Sequence, residues 1–113
     1  EFELPGALSI RLVRPEYFLA TKLAAYRGRG NEDPLESRDI EDILALIDGR
    51  PELMEELLQS PAKLRRYVSK QLSDLSANSS FEYAVQAASN GNSDREALLW
   101  DRLALAISYA DLS

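Results

Sequence analysis

The sequence predicts a mainly helical fold that begins with one or two short strands. Apolar residues recur at helical spacing in about six segments from residue 15 onwards. Before that point, Leu8, Ile10 and Leu12 alternate with polar residues, which is typical of a half-buried strand. A lone hairpin is only marginally stable in water, so we expect the strands to be the edge of an incomplete sheet.

The chain has 113 residues, which is enough for one domain with one hydrophobic core. We expect a single domain over residues 1–113 that is built in three parts. Residues 1–14 contain the strand, with Phe2 to Leu4 as its hairpin partner. Residues 15–50 form a pair of helices that carries the charged motif residues, and residues 51–113 form a helical tail.

Local signals mark the ends of the first two helices. Pro15 suits the first turn of a helix, and Gly28 or Gly30 is expected to end that helix. A polar loop follows. Ser37 then has the side chain and position of an N-cap, and Gly49 is expected to end the second helix.

The four tail helices are marked by prolines and serines that directly precede apolar repeats. Serine hydroxyls cap free N–H groups at a helix start, and proline fits the first helical position. The predicted starts are Pro51 for the third helix, Ser60-Pro61 for the fourth, Ser79 or Ser80 for the fifth, and a capping box from Ser93 to Glu96 for the last.

Composition excludes several classes of protein. The sequence contains no cysteine and no histidine, so disulfides, thiolate metal sites and Ser-His or Cys-His catalysis are excluded. The net charge of -6 argues against non-specific duplex binding but is compatible with a local basic site for phosphate. No apolar run approaches about 18 residues and no signal-peptide pattern is seen, so we expect a cytoplasmic protein without a membrane span.

Charged residues interrupt the apolar repeats of the first two helices. Lys22 lies on the border of the apolar face, and Arg29 follows it by seven residues, which places both cations on one side of the helix. Asp39 and Asp42 are three residues apart on one side of the second helix. If the intervening loop folds back, the cation row opposes the acid pair.

Two interpretations fit this pattern, and sequence spacing does not separate them. In the first, the charges form a structural ion-pair network, with the stem of Lys22 on apolar surface and Arg27 and Arg29 at the helix end. In the second, Lys22 and Arg29 form one wall of a phosphate site and contact a triphosphate. An aspartate then orients the lysine.

Both segments resemble the AbiEii/AbiGii-like nucleotidyltransferases of the DNA polymerase beta-like superfamily, some of which are toxins of toxin–antitoxin pairs. The stretch from Ile10 to Gly30 is similar to the family's strand and its helix with a lysine, small residues and an arginine. The stretch from Ser37 to Leu53 is similar to its Arg-Asp-aliphatic-x-Asp-aliphatic helix. The similarity covers about residues 8–53, and residues 54–113 fit only as a helical tail.

The resemblance implies a role for each matching residue. Lys22 and Arg29 take the positions of the phosphate-binding lysine and arginine, and Arg38 and Asp39 take those of the Arg-Asp pair. Asp39 and Asp42 are then the candidate catalytic residues, which position the lysine. The resemblance also implies a nucleoside triphosphate substrate, Mg²⁺ in the intact enzyme, and a tRNA acceptor or an antitoxin as further partners.

The family's metal-binding motif is missing from this sequence. That motif is a Gly-Ser at a helix start followed by Asp-x-Asp on a strand, and the sequence contains neither. We therefore expect the C-terminal helical part of a nucleotidyltransferase fold, which helps to bind triphosphate but is not catalytic alone. The exposed strand edge would favour self-association.

Other interpretations of the sequence stay open. The main alternative is a non-enzymatic helical protein-interaction module derived from the same fold. An independent hydrolase is supported only by carboxylates that lie close together in the sequence. The basic run from Lys63 to Lys70 is either a solvated helix face or a contact for a tRNA-like substrate.

Overall fold

A computed structural model describes residues 14–29 and 33–111, which form α-helices and 3-10 turns. No strand occurs within these described residues, so the mainly helical part of the prediction is confirmed. The predicted strand and hairpin lie outside them, except for Arg14. The helices are α1 (Pro15–Gly28), α2 (Arg38–Gly49), α3 (Leu53–Leu58), α4 (Ala62–Ser76), α5 (Ser79–Ala88) and α6 (Ser93–Ser108), and the 3-10 turns are Pro34–Glu36 and Tyr109–Asp111.

The predicted ends of α1 and α2 agree with the structure. α1 begins at Pro15, whose missing N–H would have no partner inside the helix in any case, and it ends at Gly28. α2 begins after Ser37, whose Oγ accepts a hydrogen bond of 3.2 Å from the backbone N–H of Ile40. Its last residue is Gly49, as predicted.

The predicted serine caps of α5 and α6 are wrong, because asparagines that precede the serines cap both helices. Asn78 Oδ1 accepts a hydrogen bond of 2.8 Å from the N–H of Ser80. Asn92 Oδ1 accepts bonds of 3.0 and 3.1 Å from the N–H groups of Asp94 and Arg95. Each asparagine has the extended backbone of an N-cap, and the serines that follow are already helical.

The predicted starts of α3 and α4 are also shifted. Pro51 lies in a turn, and α3 begins only at Leu53. Ser60 does not cap α4, because its hydroxyl donates a hydrogen bond of 2.9 Å to the carbonyl of Glu56 in the preceding helix. The N-cap position of α4 is Pro61.

Residues from all six helices form one hydrophobic core, and α1 packs directly on α2. In the core, the rings of Phe81 and Trp100 meet edge to face with centroids 5.9 Å apart. The largest fully buried side chains are Leu19, Leu23, Ile40, Ile43, Leu44, Ile47, Leu53, Leu57, Leu72, Phe81, Leu99 and Leu103.

None of the described helices is long and apolar enough to cross a membrane.

Two arginines of α6 hold the C-terminal end of α2. Arg102 Nη1 donates hydrogen bonds to the carbonyls of Ile47 (2.7 Å) and Asp48 (3.1 Å). Carbonyls at a helix C-terminus lack partners within the helix and carry partial negative charge, so they favour a guanidinium. Arg95 pairs with the Asp48 carboxylate and lowers its pKa. The tail therefore fixes the helix that carries Asp39 and Asp42.

Candidate phosphate site

Four of the predicted site residues come together where α1 packs on α2. Lys22 Nζ lies 2.9 Å from Oδ2 of Asp42 and 3.6 Å from Oδ1 of Asp39. Arg29 Nε donates a hydrogen bond of 2.8 Å to Oδ2 of Asp39. We call these four residues the ion cluster. The cation row opposes the acid pair, as the spacing predicted, while the phosphate-binding and catalytic roles remain predictions.

The members of the ion cluster differ in their exposure to solvent. The Asp39 side chain is 7% exposed, whereas that of Lys22 is 25% exposed. The side chains of Asp42 and Arg29 are 42% and 60% exposed. Asp39 is therefore the buried carboxylate that bridges two cations, and the other three side chains extend from it towards the surface.

The surroundings of Lys22 keep it charged. The hydrogen bond from Lys22 to Asp42 is the largest cause that raises the pKa of the ammonium, and the nearby charges of both aspartates act in the same direction. Partial burial opposes this shift. A lysine with a raised pKa is a poor proton acceptor at neutral pH, so its chemistry here is electrostatic.

Phe18 is a member of the site that sequence analysis did not identify. The Lys22 ammonium lies 5.5 Å from the centroid of the Phe18 ring, within the range of a cation–π contact. The two residues are four apart in α1, so their side chains are neighbours on one helix face. This spacing could have indicated the contact. The ring limits the directions in which the lysine stem can point.

The stabilisation that Lys22 provides should disappear at high pH. Its pKa is raised by folding, so its contribution is complete below the ordinary value of 10.5 and is lost as the pH rises through the folded-state value. We predict that the difference in the free energy of unfolding between the wild type and Lys22→Met shrinks as the pH rises above 10.5. Denaturant unfolding across this range measures the difference, and a constant gap would contradict the prediction.

The remaining motif arginines lie apart from the ion cluster. Arg38 is the exposed first residue of α2, and its side chain makes no hydrogen bond or ion pair with the other described residues, 14–29 and 33–111. Arg27 contacts α4, where its Nη1 donates a bond of 2.7 Å to Gln71 and lies 3.8 Å from Asp74. The Arg-Asp pair of the motif is therefore divided, because its aspartate joins the cluster and its arginine does not.

The ion cluster does not fit the Mg²⁺ that the resemblance implies. A magnesium site needs several oxygen ligands in octahedral geometry. Both oxygens of Asp39 are directed at cations, and Asp42 Oδ2 lies 2.9 Å from the Lys22 ammonium. In the described parts of the chain, no three Asp, Glu, His or Cys side chains are grouped so that they could hold a metal ion. We assign no metal-dependent step to these residues.

Comparison with family models, with curated proteins and with solved structures finds no match to this chain. The resemblance to the nucleotidyltransferases therefore rests on the motifs alone.

Proposed function

We propose that this chain is the C-terminal helical portion of a nucleotidyltransferase-like protein, in which Lys22 and Arg29 bind the phosphates of a nucleoside triphosphate. The main support is the assembly of both cations on one buried carboxylate, Asp39. Lysine and arginine are the usual partners of phosphate oxygens because their charged N–H groups make strong hydrogen bonds to them. Both side chains also reach solvent, where a ligand could approach.

In this proposal, Asp39 is a positioning residue. Its two oxygens bond to different cations, so it holds the ammonium and the guanidinium at a fixed separation before a ligand arrives. Preorganised charges stabilise an anion without the cost of moving into place. Asp39 is also buried, so a phosphate that approaches from solvent does not contact this carboxylate.

A second candidate is the non-enzymatic helical interaction module. The observation that favours it is the charge balance of the ion cluster, in which two cations are matched by two carboxylates. Such a cluster can fix the packing of α1 on α2 without any ligand. The two candidates differ in one respect, which is whether triphosphate competes for the cations.

Calorimetric titration with each nucleoside triphosphate distinguishes these candidates. We expect saturable binding to the 113-residue chain that Lys22→Ala weakens about tenfold or more, since about 1.4 kcal/mol of lost contact corresponds to that factor. The matched control is Lys63→Ala, which removes an exposed lysine from α4. An equal loss in both variants, or no saturable binding by the wild type, would favour the interaction module.

The other partners implied by the resemblance depend on it alone. The tRNA acceptor, the antitoxin and the Mg²⁺ of the intact enzyme remain predictions. Lys63, Arg66 and Lys70 are exposed on α4, and Lys70 pairs with Asp74 four residues later. This arrangement is that of a solvated helix face, so the tRNA contact there has no additional support.

A further inference from the structure

We infer that Asp42 competes with the phosphate ligand for Lys22, whereas Asp39 promotes binding of the ligand. The Asp42 carboxylate holds the Lys22 ammonium until a phosphate oxygen replaces it, and Asp39 keeps its contact throughout. This inference rests on the proposed function, because it concerns the same site. The two aspartates of the motif then have opposite effects on the affinity for the phosphate ligand.

The geometry around Lys22 distinguishes the two carboxylates. Asp42 makes the shorter contact, 2.9 Å, from a side chain that is 42% exposed. Asp39 makes a contact of 3.6 Å from a side chain that is 7% exposed, and it also bonds to Arg29. The ammonium is therefore shared between an outer carboxylate and an inner one.

The outer carboxylate can leave at low cost, and the inner one cannot. An exposed ion pair contributes little net stability, because water solvates both charges once they separate. When Asp42 turns away from Lys22, its carboxylate can be hydrated. If Asp39 left its cations, a carboxylate would stay buried without partners, which is strongly unfavourable. A phosphate that approaches Lys22 from solvent therefore displaces Asp42.

Ligands with several phosphates can best offset the loss of the Asp42 contact. A single phosphate group replaces one carboxylate on Lys22 and gains little beyond the exchange. A triphosphate carries more negative charge and more acceptor oxygens, so it can bind Arg29 as well as Lys22. Asp42 thus lowers the affinity for both ligands, and the additional contact with Arg29 lets triphosphate bind more tightly than orthophosphate. Removing the charge of Asp42 should raise the affinity for both ligands by a similar factor.

Calorimetry with inorganic triphosphate and with orthophosphate tests the inference on the 113-residue chain without added metal. Asp42→Asn should bind triphosphate about two to five times more tightly than the wild type, and its gain for orthophosphate should be of similar size. The matched control is Glu41→Gln, which removes the same charge from the neighbouring residue. Glu41 is exposed and lines a groove between α2 and α5, and its substitution should change affinity less than about twofold.

The possible outcomes test the inference and the proposed function separately. If the wild type binds triphosphate and Asp42→Asn binds it equally or more weakly, the inference is wrong and the proposed function stands. A gain in Glu41→Gln as large as that in Asp42→Asn would show a general charge effect, which also overturns the inference. Binding by Asp42→Asn alone would overturn the proposed function, because the wild-type site would then not accept triphosphate. If neither protein binds, the proposed function fails and the inference fails with it.

Discussion

Asp39→Ala is expected to lower the free energy of unfolding by about 2 to 3 kcal/mol. The substitution removes the carboxylate that bridges Lys22 and Arg29 and leaves both cations beside each other without their shared partner. Loss of one partner from a fully buried pair costs more than this. The smaller value follows from the exposure of the two cations, which water can partly solvate. Denaturant unfolding at neutral pH measures the change.

Asp94→Ala is the matched control for the Asp39 prediction. Asp94 is the second residue of α6, as Asp39 is the second residue of α2, so both carboxylates interact with a helix dipole in the same way. Asp94 is exposed, and its loss should cost less than about 1 kcal/mol. Similar losses in the two variants would mean that the dipole, and not the bridge between cations, explains the effect of Asp39.

Phe81→Ala is expected to destabilise the fold most, by about 3 to 5 kcal/mol. The Phe81 side chain is fully buried, and its ring packs edge to face on Trp100 of α6. The substitution removes a large apolar group from water-free surroundings and leaves a cavity that the helices can close only in part. The midpoint of denaturant unfolding should fall, and the slope should stay the same if the transition remains two-state.

Tyr83→Ala controls for the loss of an aromatic residue from the same helix. Tyr83 lies two residues after Phe81 in α5, and 58% of it is exposed. Its substitution should change the free energy of unfolding by less than about 1 kcal/mol, as is usual at the surface. If Tyr83→Ala destabilised the protein as much as Phe81→Ala, the core described here would be wrong.

Features that depend on neighbouring residues could be predicted from the sequence. Pro15, Ser37 and Gly49 determine backbone geometry within one turn, so the ends of α1 and α2 were predicted from their positions. The contacts within the ion cluster could also be predicted. Its cations are two helical turns apart, and its acids lie in the first turns of the next helix, so their opposition was expected if the intervening loop folded back.

Features that depend on competition or on distant contacts could not be predicted. Asn78 and Asn92 are the N-caps instead of the serines that follow them. Asparagine and serine have similar preferences for the N-cap position, so the sequence does not show which of two neighbours takes it. The bonds from Arg102 to the end of α2 join residues more than fifty positions apart, and no local pattern indicates them. Glu16 is buried, although its sequence position indicates only a favourable charge in the first turn of α1.

Binding of phosphates by Lys22 and Arg29 can be observed at the two side chains themselves. An NMR titration of the 113-residue chain with inorganic triphosphate follows the side-chain nitrogen signals of lysine and arginine. We expect saturable shifts at Lys22 Nζ and Arg29 Nε, with little change at Lys63 and Arg66 on α4. Shifts confined to Lys63 and Arg66, or no saturable shift at Lys22, would contradict the proposed binding.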